Sequence, residues 1–134
     1  MTPAREREVR KRARERCEYC RMTQEIQGAE FHVEHIVPRA RKGLDELDNL
    51  ALACPSCNLR KSDRAEHADP RTGRPERLYH PRNDRWSEHF RFEGLRIVGR
   101  TPVGRATVAA LDLNTGRRIA IRAIERKLGL DESP

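Results

Sequence analysis

Apolar positions are sparse along this chain, and their spacing changes from one segment to the next. Val9, Ala13 and Cys17 fall four apart among many Arg and Glu residues, which predicts a helix over residues 3–16 with one narrow apolar stripe. Thr2 suits its N-cap and Pro3 its first turn. Residues 31–36 read as a strand stopped by Val37-Pro38, residues 39–48 as a polar loop with Gly43, and residues 50–53 as a short apolar strand. A helix over about 55–65 follows, with Pro55 near its start. Residues 67–77, rich in Pro, Gly and charge, read as a linker. Phe90, Phe92, Leu95 and Ile97 predict a hairpin turned near Gly94. Helices are expected over 105–111 and 117–128, the second with Ile121, Ile124 and Leu128 on one face and Gly129 as C-cap. The expectation is an α+β fold: a core over residues 1–66, then a linker and a small α/β extension over 67–134 packed on it.

Composition changes this picture in two ways. Only 36% of the 134 residues are hydrophobic and 4% aromatic, so the core is thin and in need of a staple. The formal net charge is +7, and all but Lys11, Lys42, Lys61 and Lys127 of the 28 basic residues are arginine. An Arg-rich basic surface suits polyanions, nucleic acid first, because the planar guanidinium grips phosphate oxygens in pairs. No stretch reaches the roughly 20 apolar residues of a membrane span, and the N-terminus lacks the apolar segment of a secretory signal, so a cytoplasmic protein is expected.

In a reducing compartment the four cysteines call for something other than disulfides. They form two CxxC pairs, Cys17/Cys20 and Cys54/Cys57, with none spare. Each pair sets two thiolates on one turn, and two pairs complete a closed, structural tetrahedral zinc site. That knot encloses the whole strand-loop-strand unit.

Between and after the pairs stand Phe31-His32-Val33-Glu34-His35-Ile36-Val37-Pro38, Leu47-Asp48-Asn49-Leu50 and Cys57-Asn58-Leu59-Arg60-Lys61-Ser62-Asp63. Glu34 offers oxygen to a hard divalent cation. His35, on the other side of the strand, can take a proton from water near neutral pH. Asn58 offers a second oxygen ligand from the helix. His32 shares the Glu34 face and, with Arg39, Arg41, Lys42 and Lys61, is a candidate contact to the nucleic-acid backbone.

These residues resemble the HNH nuclease family: a carboxylate-His-Ile-x-Pro strand, a loop ending in Asn-Leu, and a CxxCNxxKSD helix start. The resemblance covers about residues 9–66. It implies a ββα-metal fold and hydrolysis of DNA, most readily double-stranded, with His35 as general base. It also implies a divalent ion held by Glu34 and Asn58, and Asn49 bracing the loop and orienting the base. Glu34 stands where relatives most often have Asp. Ser62 stands where double-His members have a further ligand. Both departures favour Mg²⁺ or Mn²⁺, with Ni²⁺ or Co²⁺ able to substitute. The alternative is a non-catalytic, zinc-stabilised module that binds nucleic acid.

Overall fold

The computed structural model describes residues 1–132. The chain starts with helix α1 (Pro3–Ala13), whose N-cap Thr2 accepts from Arg5 N–H at 3.2 Å. It ends sooner than the apolar spacing predicts, because Arg14 and Glu15 turn left-handed at φ 55° and 59°. Strands β1 (His32–His35) and β2 (Leu50–Ala53) pair antiparallel, with His35 opposite Leu50 and Glu34 opposite Ala51. Two short 3₁₀ turns, Arg39–Arg41 and Leu47–Asn49, shape the loop between them. Helix α2 (Pro55–Lys61) follows directly, so strand, loop, strand and helix form one unit. β2 is buried along its whole length, packed against β1, α1 and α2.

The segment expected as a linker is instead a hairpin, β3 (Glu66–Ala68) with β4 (Pro75–Arg77). Its turn closes where Asp69 accepts from Gly73 N–H at 2.7 Å and donates its own N–H to the Arg74 carbonyl at 2.8 Å. The buried Asp69 carboxylate then takes the Arg105 guanidinium at 2.8 Å, and this pair docks the hairpin on helix α4. That long-range partner is why Pro, Gly and charge here do not mean a loose tether.

A short helix α3 (Trp86–His89), the hairpin β5 (Phe90–Glu93) with β6 (Arg96–Gly99), and helices α4 (Pro102–Leu111) and α5 (Gly116–Lys127) complete the chain. The core is one cluster that mixes both halves: Val9, Tyr19, Phe31 and Leu52 with Phe90, Ile97, Leu111 and Leu113. Tyr79 meets the Tyr19 and Phe90 rings edge-on, and Trp86 donates its indole N–H to the Tyr19 carbonyl at 2.8 Å.

α5 reverses the expectation drawn from its apolar spacing. Ile124 and Leu128 are half or more exposed, and the buried residues are Arg118, Arg122 and Glu125. The helix turns its charges inward because carbonyls and cysteine sulfurs, not hydrocarbon, wait on that side.

Candidate metal centre and active site

The knuckle cysteines come from two turns. Cys20 N–H points at Cys17 Sγ at 3.5 Å, and Cys54, which caps α2, accepts from Cys57 N–H at 3.4 Å. All four sulfurs lie within 4.8 Å of one another and are at most 1% exposed; Cys20 Sγ and Cys54 Sγ are 3.8 Å apart. Sulfurs placed about 2.3 Å from a zinc ion at tetrahedral angles stand about 3.8 Å from each other. The cluster therefore fits zinc. Burial raises the Cys17 and Cys57 thiols well above the ordinary range. Burial works the same way on Cys20, but hydrogen bonds from the other three thiols and the charge of Arg118 bring it well below.

His35 sits half-buried at the end of β1 with its Nε2 3.1 Å from Asp45 Oδ1. Arg39 Nε is 3.3 Å from the same nitrogen, and its Nη2 is 3.8 Å from Asp45 Oδ1. Nε2 cannot donate to one neighbour and accept from the other at once. The Met1 ammonium first, and then His35 and Arg39, hold the Asp45 carboxyl below its usual range. Donation to Asp45 places the proton on Nε2 and leaves the lone pair on Nδ1, whereas acceptance from Arg39 requires the reverse. Sequence reasoning passed over Asp45, which shares its loop with Glu46 and Asp48 and had no distinguishing local mark.

Asn49 ties the loop that carries Asp45. Its Oδ1 accepts from Val37 N–H at 2.8 Å, and its Nδ2 donates to the Leu44 and Val37 carbonyls at 2.8 and 3.1 Å. Gly43 lies against the same turn, where an added Cβ would stand 1.7 Å from the Val37 oxygen. Arginines of α1 brace the loop from outside: Arg5 donates to the Asp45 carbonyl, and Arg12 to the carbonyls of Leu47 (3.0 Å) and Leu50 (2.6 Å). The basic face of α1 is thus in part a set of struts.

Two expectations need correction. Glu34 does not present an open oxygen to a cation. It is 8% exposed; Oε1 accepts from the Tyr19 hydroxyl and Oε2 from Lys61 Nζ at 3.0 Å. Burial raises its carboxyl, with Lys61 and Tyr19 opposing that shift. Lys61 in turn is 2% exposed and also donates to the His35 carbonyl at 3.1 Å, so it does not reach a phosphate. A buried carboxylate needs a charge partner, and the ammonium one turn past Asn58 supplies it. Asn58 lies half-buried on α2, and His32 is exposed at the start of β1. Arg39, 65% exposed, lies beside His35; Lys42 is exposed on the same loop, and Arg41, also exposed, is tied to the Asp63 carbonyl at 2.9 Å. Tyr19 and Arg118 were likewise unmarked in the sequence, since both act through long-range contacts.

No curated protein and no solved structure matches the chain. A family model described as HNH endonuclease matches residues 17–64, from the first knuckle cysteine through β1, the Asp45 loop, β2 and α2. Over those residues the chain is similar to the HNH endonuclease family.

Proposed function

We propose that the protein hydrolyses phosphodiester bonds in DNA, with His35 as general base. The observation that carries this reading is the His35–Asp45 contact at 3.1 Å. A carboxylate on one imidazole nitrogen leaves the other as an oriented proton acceptor and stabilises the imidazolium formed when it takes a proton. In the proposed step Nδ1 removes a proton from water, the water oxygen bonds to phosphorus, and the far P–O bond breaks, its oxygen leaving with the bonding pair and taking a proton from solvent. Arg39, and with it Lys42, would hold phosphate oxygens beside the base. Arg41 and His32 extend that surface, while Asn49 fixes the loop geometry on which the contact depends.

The family resemblance further implies a divalent ion, Mg²⁺ or Mn²⁺, held by Glu34 and Asn58. As placed here Glu34 does not fit that role, because both of its oxygens are committed, one to the Tyr19 hydroxyl and one to the Lys61 ammonium. The same observation favours a second reading, a zinc-stabilised module that binds DNA without cutting it. Cleavage of supercoiled plasmid by the wild-type protein and by His35→Ala, with DNA binding measured in parallel, decides between the two.

A further inference from the structure

The knuckle has a fifth contributor that lies 61 residues beyond its last cysteine. Arg118 is 2% exposed. Its Nη2 donates to Cys57 Sγ at 2.7 Å and lies 3.6 Å from Cys54 Sγ, while its Nη1 donates to the Leu111 carbonyl at 2.7 Å. The guanidinium is thus held at one end by the C-terminal end of α4 and aimed at sulfur with the other. Thr115, the N-cap of α5, fixes the backbone by accepting from Arg118 N–H at 3.2 Å.

Charge gives the contact its meaning. A zinc ion contributes +2 and four thiolates −4, so the filled centre carries −2 in a site nearly closed to water. An uncompensated buried charge is costly, and a guanidinium on a thiolate is a strong, charge-assisted donor. Arg122, one turn further along the same buried face, adds a second cation, held by the Leu95 carbonyl at 3.0 Å and Asn114 Oδ1 at 3.3 Å. Glu125 is the opposing charge on that face, and its Oε1 is committed to Thr23 N–H at 2.7 Å.

We propose that Arg118 is a positioning residue of the metal centre: its direct contact orients Cys57 Sγ and offsets part of the centre's negative charge, so α5 slows the loss of zinc from the N-terminal knuckle. This rests on the reading of the four-cysteine cluster as a zinc site and not on nuclease activity. It also gives the C-terminal segment a role that its sequence alone left unassigned.

The test uses the full-length protein with Arg118→Gln, Arg118→Lys and, as an exposed control on the same helix, Arg117→Gln. Zinc content comes first: a wild type without one bound zinc would remove the zinc reading itself. Zinc release to a chromophoric chelator is then timed, and the sulfur-to-metal charge-transfer bands of the cobalt-substituted proteins are recorded. Removing a group that supports a ligand typically weakens a metal site about 10–100-fold. Arg118→Gln should release zinc at least about tenfold faster, with shifted cobalt bands; Arg118→Lys should lie between it and wild type, and Arg117→Gln should match wild type. A folded Arg118→Gln protein with wild-type release and bands overturns the proposal. If Arg118→Gln does not fold, Arg118→Lys decides. The proposal requires it to fold, hold zinc and show shifted bands, and unchanged bands or an empty site would overturn it.

Discussion

The Nε2 atom of His35 lies 3.1 Å from Asp45 Oδ1, and the loop that brings them together is tied by the three side-chain hydrogen bonds of Asn49. In the proposed mechanism Asp45 sets the tautomer of His35 without touching substrate. Asp45→Asn should lower the DNA-cleavage rate by roughly 10²-fold, within the usual contribution of a positioned acid–base group, and leave DNA affinity unchanged. An Asp45→Asn protein that cuts at the wild-type rate would remove Asp45 from the mechanism.

Glu34 and Lys61 are a buried pair, and breaking one partner is worse than losing both. Lys61→Met should destabilise the protein by about 3–5 kcal/mol in urea unfolding, with Glu34→Gln in the same background restoring part of that. A loss below about 1 kcal/mol, the scale of an exposed pair, would show that water reaches the site and that Lys61 is free to act on substrate.

Chelation should act on more than the metal. A structural zinc site stabilises small domains by roughly 10–16 kcal/mol, and here its ligands sit in the same cluster as Tyr19, Phe31 and Leu52. A strong chelator should abolish the helical circular dichroism of α1 and α2. An unchanged spectrum after verified zinc removal would mean that the hydrophobic cluster suffices.

Asp69 gives a pH dependence of definite sign. Its hydrogen bonds from Arg105 first, opposed by burial and aided by the Arg71 N–H, hold the carboxyl below its usual range. Its contribution is present above the unfolded value of about 3.9 and is lost as pH falls further, through the lower folded value. Asp69→Asn should lower the melting temperature at neutral pH and flatten the acid limb of the stability curve. An acid limb identical to wild type would contradict the role of the pair.

What could be read in the sequence follows from the range of the forces involved. The two CxxC pairs, β2, the cap at Thr2 and the first-turn Pro55 rest on neighbours a few residues away, and local pattern finds such features. The β3–β4 hairpin looks like a linker in the sequence because its anchor, Arg105, is distant in sequence from Asp69. α5 was read by its isoleucines, whereas its inner face is set by sulfur and carbonyl groups that select guanidinium. Around the candidate site, the spacing of Glu34, His35, Asn49 and Asn58 was visible. That Lys61 folds inward onto Glu34, and that Asp45 rather than a neighbouring acid reaches His35, depends on the closed loop.

The most direct test of the account is conversion of supercoiled plasmid, with EDTA, Mg²⁺, Mn²⁺ and Ni²⁺ in parallel, by the wild-type protein and by a His35→Ala variant verified to retain zinc. The account predicts open-circular or linear product from wild type in at least one condition, and a rate lower by roughly 10²–10⁴-fold for His35→Ala, with DNA binding equal in the two. Wild type and variant that both retard the DNA in a gel yet leave it uncut under every condition would contradict it and establish the binding module instead.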